Sequence, residues 1–578
     1  MKRLFTLCAC AFAALALPHP AFAHDSRIRL FSEPSSLWNR FRAIENGRNL
    51  PTTIRTLTEA ELLYSGLLED IDRNTDNGGE TAGFAPILAF NPYLLGWSGL
   101  ETQRWSADAG SSDPLPSAGN LSRRSDPFYA NAFRLADPVI AFGVTFASEH
   151  LYASTEIDFN TDTIASKKGA SGYSAVWKPL DWASYMSFPE QAYLSWTGEQ
   201  SSIVAGRIET GVGLGRSNLL LNGQARWYDQ IQYNWWSDAF RFFAFWGTSA
   251  THLMKDEREV QYTLNTPGSD ETSNTGWDPA SNHDYASGDL APVKLFTAHR
   301  AEFKPHPRLG LGISEFQLIG GKVPDLTNLL PVVYWHNTYT AGVSNVILHV
   351  DAWGVPVDGL LLRGEFLMDD TKSAAEQDAE SKPNSWAWQL GATWVLPLSS
   401  RDWKVAVEAE YSHVDTWTYN RWQPWLVMYQ RQMTAGGWYG YDIPLGHPAG
   451  GNLDEGTLNV TGVSKTGIRV EAGYSVMIKG PVYLGQIITG TDSKGDPVYI
   501  PVYYDFDAYK DFTGLTLADI EAKPNLYRHT ISLSAEVPLA KSLTAQAGAE
   551  FRFTQNAGHV RGETAFESIW KAGCRWSL

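Results

Sequence analysis

The sequence predicts an all-β fold, a transmembrane antiparallel β-barrel preceded by a small N-terminal helical segment. Three observations predict it. The chain opens on an export signal. It is heavily aromatic yet hydrophilic on average. Its second half is built from segments of about ten residues that alternate apolar and polar side chains.

The signal is "MKRLFTLCACAFAALALPHPAFA". Lys2 and Arg3 form a basic start, Leu4 to Leu17 an apolar core, and Ala21-Phe22-Ala23 a small-x-small cleavage site. Residues 1–23 are therefore read as a signal peptide, with the mature chain beginning near His24. Reading Leu7-Cys8-Ala9-Cys10 as a lipobox would leave an apolar core of only a few residues. Without the signal, Cys574 is the sole cysteine, which excludes a disulfide framework or a cysteine metal site. Removing Lys2 and Arg3 takes the net charge from −17 to −19, and such acidity argues against a nucleic-acid partner.

The aromatic load is 23 Trp, 25 Tyr and 26 Phe, while mean hydropathy is only −0.25. Past the signal, no apolar run is long enough for a transmembrane helix. An exported, acidic, Trp-rich chain of modest hydropathy fits a barrel whose outside is apolar and whose inside is polar.

Residues 24–80 read as a periplasmic helical segment of two or three short helices, packed against the barrel mouth or plugging it. In "EPSSLWNRFRAI", Leu37, Phe41 and Ile44 share a helical face. In "LTEAELLYSGLLEDIDR", Thr58 and Glu61 stand at capping-box spacing before a stripe of Leu62, Leu63, Leu67 and Ile71.

Residues 81–578 read as the barrel. In "SWAWQLGATWVL", Trp386, Trp388, Leu390, Ala392, Trp394 and Leu396 share one face. In "DWKVAVEAEY", Trp403, Val405, Val407, Ala409 and Tyr411 alternate with Lys404, Ala406, Glu408 and Glu410. "TGIRVEAGYSVMI", "NLYRHTISLSAEV" and "SLTAQAGAEFRF" repeat the scheme. Ions and glycines on the second face suit a wet lumen, and aromatics near segment ends suit an interfacial girdle, better than a β-sandwich or propeller would. In the last segment, Trp570, Ala572, Cys574, Trp576 and Leu578 share a parity, so Cys574 is expected to face lipid. Counting such segments gives about 16 to 20 strands. Long polar inserts at 106–127, 250–292, 370–384, 434–465 and 488–524 are expected outside the cell.

Glycines alternate at Gly211, Gly213 and Gly215 in "GRIETGVGLGRSNLLL". A phosphate loop needs G-x-x-x-x-G-K-[ST] and a dinucleotide loop G-x-G-x-x-G, and neither spacing is present. These glycines are expected to permit a bend or close packing in the wall or lumen.

Charge concentrates on the polar faces of neighbouring strands at Arg300, Glu302, Lys304, Arg363, Glu365 and Asp369. Their alternating signs permit a cross-strand ladder that stiffens the lumen; the alternatives are a selectivity constriction and a sugar path. Glu315 is adjacent, but its parity matches Leu311 and Ile313, which leaves its direction open. His299, His306, His336 and His349 lack metal-ligand spacing and are expected in the lumen or at its rim. No esterase motif is present, and no catalytic or metal-binding residues are expected. Trp417, Tyr419, Trp422, Trp425, Trp438 and Tyr441 are candidates for stacking on sugar rings, in competition with a place in an interfacial girdle.

The strings "GRIETGVGLGRSNLLLN" (206–222), "AHRAEFKPHPRLGLGISEFQLIGG" (298–321), "NVILHVDAWGVPVDGLLLRGEFLMDD" (345–370) and "GYDIPLGHPAGGN" (440–452) together resemble the Wzi family of capsule-assembly outer-membrane proteins. The order of helical segment, Gly-rich turn, His-Arg pair, Glu-bearing strand and Asp-Asp also matches. The resemblance implies a barrel of about 18 strands with a small periplasmic helical bundle, and a role in holding surface polysaccharide without catalysis or cofactor. Surface polysaccharide, outer-membrane lipid and the barrel-assembly machinery are the expected partners of a monomeric chain. A general or substrate-selective porin is the competing reading, and whether the lumen is open separates the two.

Overall fold

The computed structural model describes residues 28–29, 34–65, 83–99, 138–148, 150–161, 172–176, 184–187, 191–223, 225, 227–263, 291–336, 344–371, 383–398, 402–433, 440–503 and 514–577. The expected signal peptide lies outside them. The strands close into an antiparallel barrel of 18 strand positions.

Three of the first four positions are built from two pieces each. Strand β1 runs Gly83–Phe90 and resumes as Tyr93–Ser98. Both pieces pair with the last strand in one register, and the gap falls at Asn91-Pro92, where proline has no N–H for a ladder. Strand β2 is Ile140–Ala147, with Gly172–Val176 pairing beside it along β1; β3 is Leu151–Thr161. Strand β4 is Ser184–Ser187 with Ala192–Thr197, both against β3.

The others are uninterrupted. They are β5 Ser201–Ile208, β6 Tyr228–Trp236, β7 Phe240–Thr248, β8 Lys294–His306 and β9 Leu309–Gly320. Next come β10 Ser344–Val357, β11 Leu360–Asp370, β12 Ser385–Val395, β13 Trp403–Val414 and β14 Leu453–Ser464. The closing set is β15 Arg469–Lys479, β16 Leu526–Ala540, β17 Leu543–Gln555 and β18 Thr564–Ser577. Connections after even-numbered strands are short turns. Those after odd-numbered strands are longer, so the barrel has a short-turn end and a long-loop end.

Period-2 alternation sorts the wall as the sequence implies. Trp386, Trp388, Leu390 and Trp394 of β12 are exposed on the outside, as are Leu458, Val470, Ile531 and Trp570 elsewhere. Glu408, Glu410, Gln389 and Thr393 point inward and are buried. Cys574 has the parity of the outward Trp570 and Ala572.

Helix α1 (Pro34–Glu45) and helix α2 (Glu59–Tyr64) sit at the short-turn end. Leu37, Phe41 and Ile44 of α1 are buried, the turn residue Gly359 donates its N–H to Ile44 O at 2.8 Å, and Lys404 pairs with Glu45. Thr58 and Glu61 cap α2 reciprocally: Thr58 N–H donates to Glu61 Oε2 at 2.8 Å and Glu61 N–H to Thr58 Oγ1 at 3.2 Å. Glu61 also pairs with Arg241 of β7, and Tyr64 Oη donates to Asp238 at 2.9 Å.

Two expected inserts need correction. Residues 453–464 of the 434–465 insert are strand β14, with Leu453, Val460 and Val463 keeping strand alternation despite intervening Gly and Asp. The 488–524 insert contains strand pairing, Ile487–Thr491 against Pro497–Pro501, and a short helix at Leu517–Glu521. Residues 106–127 lie outside the described residues. Among those described, no helix is long and apolar enough to cross a membrane.

Candidate functional site: segments pinned inside the lumen

Among the described residues, much of the barrel interior is packed with the chain's own side chains. One hydrophobic cluster runs from Phe41 and Ile44 of α1, through Ile54, Val212 and Leu219, to Tyr419, Val427 and Tyr429. Three irregular segments join α1 and the wall in it. Residues 49–58 enter from the short-turn end, residues 209–223 fold in from the β5–β6 connection, and residues 415–452 fold in from the β13–β14 connection.

Wall carboxylates hold all three. Glu302 of β8 accepts Thr53 N–H at 3.3 Å and the Thr52 hydroxyl at 2.9 Å. Glu410 of β13 accepts the N–H groups of Arg216 and Ser217, each at 3.1 Å. Glu365 of β11 accepts Leu219 N–H at 3.2 Å. Asp369 of β11 accepts Tyr419 N–H at 2.5 Å. Irregular backbone buried in a barrel must have its donors satisfied, and ionised acceptors do this most strongly.

The carboxylates are in turn paired. Arg300 donates to Glu302 at 2.8 Å, to Asp351 at 2.7 and 2.8 Å, to Ser314 at 2.9 Å and to Thr53 Oγ1 at 2.7 Å. Arg363 donates to Glu410 at 2.9 Å and to Thr393 at 3.1 Å. Arg421 reaches Asp369 at 2.8 Å, and His349 lies 3.3 Å from Glu365. Arg216 bridges Glu471 at 2.5 Å and Glu408 at 3.2 Å, while Arg40 of α1 takes the other oxygen of Glu408 at 3.0 Å. Burial pulls Arg40 below its ordinary pKa against the attraction of Glu408.

The inserted segments also hold one another. Gly213 N–H donates to Thr53 O at 2.8 Å and Arg55 N–H to Gly211 O at 3.0 Å, so the first two segments meet backbone to backbone. Asn222 N–H donates to Leu445 O at 2.9 Å, and Tyr419 Oη to Leu219 O at 2.7 Å. Burial pushes the Tyr419 phenol well above its usual pKa, so it remains a donor. Tyr419 itself sits at φ +70°, a strained conformation that its Asp369 and Leu219 bonds hold in place.

The glycine-rich stretch thus has a geometric explanation. A Cβ on Gly213, at φ +115°, would come within 2.5 Å of Asn218, and one on Gly215 within 2.4 Å of Gln389 and Glu410. The loop presents backbone N–H groups to anions, and the anions are carboxylates of the barrel wall.

Of the charged residues read from the sequence, the structure brings Arg300 and Glu302 into one contact group, while Arg363, Glu365 and Asp369 hold separate partners, Glu410, Leu219 and Tyr419. Lys304 stands apart, lining a cavity of about 450 Å³ at the short-turn mouth with Tyr64, Trp236 and Asp238. The reading missed Asp351, Glu408, Glu410, Glu471 and Arg216. The inward parity of Glu408, Glu410 and Glu471 was the available signal for three of them.

The aromatic candidates differ from expectation. Trp417, Tyr419, Trp422 and Trp425 are buried, in a folded-in loop rather than a girdle strand, and protein surrounds the rings that stacking would have to expose. Trp417 packs edge-on to Tyr503, and Trp425 Nε1 donates to Thr251 O at 3.2 Å. Trp438 lies outside the described residues, and of Tyr441 only the backbone, paired with Gln432, is described. His349 is buried in the lumen and His306 is at the short-turn rim. His299 departs from the expected lumen: together with Glu315 it has the outward parity of its strand, and the segment carrying His336 covers both. Among the described residues, no group of three or more His, Cys, Asp or Glu is placed to hold a metal ion.

No family model matches this chain, and no curated protein matches it. Solved structures do. Wzi, an outer-membrane protein involved in group 1 capsule assembly in Escherichia coli and a carbohydrate-binding β-barrel, matches with a TM-score of 0.50 at 11% identity, over 95% of this chain and 99% of that one. The outer-membrane channel DcaP of Acinetobacter baumannii matches with a TM-score of 0.33 at 10% identity, over 87% and 100%. OccK3 of Pseudomonas aeruginosa matches with a TM-score of 0.36 at 9% identity, over 85% and 95%. The fold and its place are those of an outer-membrane β-barrel.

Proposed function

We propose that this barrel binds and anchors surface polysaccharide, capsular or exopolysaccharide, during cell-surface assembly, as a Wzi-like protein and not as an enzyme. The short turns face the periplasm, residues 24–80 work from that side, and the polymer is held at the long-loop end. The chain works as a monomer and reaches the membrane through the barrel-assembly machinery.

One observation carries this reading: wall carboxylates pin three inserted segments across the lumen by their backbone N–H groups. A solute channel needs a continuous wet path, whereas a surface anchor needs a rigid platform. The Wzi-like strings and the likeness in fold support the same assignment, since that protein binds carbohydrate.

The test compares cell-bound with shed polysaccharide in strains with and without the gene. Loss of the gene should release polymer into the medium while total synthesis is unchanged. Unchanged attachment would reject anchoring and return the porin as the working hypothesis.

A further inference from the structure

Strand β9 changes character halfway along its outer face. Leu309, Leu311 and Ile313 point outward and are exposed, Leu311 by 41%. Glu315, Gln317 and Ile319 continue the same parity, yet Glu315 is only 3% exposed and Gln317 is fully buried. On β8 the outward Thr297 and His299 lie opposite them. A polar patch therefore occupies the lipid-facing side of the wall.

Residues 321–336, which follow β9, fold back over this patch. Glu315 accepts Trp335 N–H at 2.7 Å and His336 N–H at 2.6 Å, and His299 Nε2 lies 3.3 Å from the same carboxylate. The Trp335 ring, itself buried, packs tilted against His299 with centroids 4.3 Å apart. Two indoles satisfy carbonyls of the segment: Trp246, outward on β7, donates to Leu329 O at 2.9 Å, and Trp335 donates to Thr327 O at 3.0 Å. Within its short helix Leu330 N–H donates to Leu326 O at 3.1 Å, and Asp325 N–H donates to Asn328 Oδ1 at 3.0 Å.

The far side of this segment is apolar. Val323, Leu326, Leu330, Val332 and Tyr334 are exposed, Val332 by 84%. Its charged pair, Lys322 and Asp325, is confined to the start of the segment. In water such a surface has no purpose, while in hydrocarbon it is what the wall already presents at Phe303, Leu311 and Ile313. Irregular backbone can meet lipid only if its polar groups are satisfied, and here Glu315 and two indoles supply partners.

We infer that residues 322–336 form a lap on the outside of the barrel that embeds in the acyl chains of the outer leaflet and seals the His299–Glu315 pair from lipid. The occupant follows from continuity: the apolar side of the lap extends the lipid-facing band of β8 and β9. Glu315 is its latch, a carboxylate that could not face hydrocarbon unpaired.

The test places a bimane probe on the mature protein, from His24 on, in liposomes, through Leu326→Cys or Val332→Cys in a Cys574→Ser background. Ile313→Cys reports the lipid wall, and Lys494→Cys, at an exposed turn, reports water. Only protein running as a compact barrel on unboiled gels is measured. Dibrominated acyl chains should quench Leu326→Cys and Val332→Cys as strongly as Ile313→Cys, with iodide quenching several-fold below that of Lys494→Cys. Adding Glu315→Ala should raise iodide quenching at Val332→Cys several-fold. Iodide access equal to Lys494→Cys would place the segment in water and overturn the inference. Protection from both quenchers would mean that protein, such as a second copy of the chain, covers it, and would overturn it equally.

Discussion

Glu410 takes the backbone N–H groups of Arg216 and Ser217, both at 3.1 Å, although Ser217 stands 193 residues earlier in the chain. The relationship inverts the usual anion loop. The glycine-rich segment offers the donors, and the protein's own wall supplies the anion. A hydrogen bond to a charged group contributes about 1.5–3 kcal/mol. Exchanging Glu410 for Gln keeps the shape but removes the charge and weakens the bond from Arg363. Hydrogen exchange at amides 211–222 should then quicken by about one to two orders of magnitude. Unchanged exchange would show that packing alone holds the loop.

Glycine packing makes a sharper contrast. Gly213→Ala and Gly215→Ala drive a methyl into Asn218, Gln389 and Glu410, and each should cost about 1–3 kcal/mol, read as a lower temperature of conversion from the compact to the unfolded gel form. Gly495→Ala, at φ +86° with nothing within 4 Å, carries only backbone strain and should cost about 1 kcal/mol. Equal effects at all three positions would contradict the close packing.

Phe41 anchors α1 inside the mouth and is fully buried. Phe41→Ala should weaken its docking by about 3–5 kcal/mol and expose residues 34–65 to limited proteolysis, while β5 to β18 stay protected. Cleavage that spreads through the barrel would mean that the helices are required for the wall itself.

His559, in the β17–β18 connection, gives a pH dependence. Burial depresses its pKa to about 4, and its Nδ1–H donates to Pro524 O at 2.9 Å. Between that value and the usual 6.5, the undocked segment binds a proton and the docked one does not, so docking is complete above about pH 6.5 and weakens as the pH falls. With screening by water, about 1–2 kcal/mol is lost by pH 4. Exchange at residues 557–563, corrected for intrinsic rates, should quicken between pH 7 and pH 4.5, and His559→Gln should abolish the change.

The long strands were legible because lipid outside and polar lumen inside impose period-2 alternation, as at Trp386, Trp388 and Leu390. Strands β1 and β4 were less so, since Asn91-Pro92 breaks the first and residues 188–191 separate the pieces of the second. The capping box at Thr58 and Glu61 is local and was read correctly. The pinning contacts were not legible, because each joins residues far apart: 146 positions separate Glu365 from Leu219 and 249 separate Glu302 from Thr53. Loop 415–452 reads as aromatic girdle because burial in a folded-in loop and burial at an interface recruit the same side chains. Glu315 broke the apolar parity of its strand, and that break was the visible mark of the lap.

Single-channel recording on the intact protein in planar bilayers tests closure of the lumen most directly, beside a variant carrying Glu302→Ala, Glu365→Ala and Asp369→Ala. The native barrel should give no conductance steps, and the triple variant should open and close as its freed segments move. Steady conductance from the native protein would contradict a lumen sealed by pinned segments.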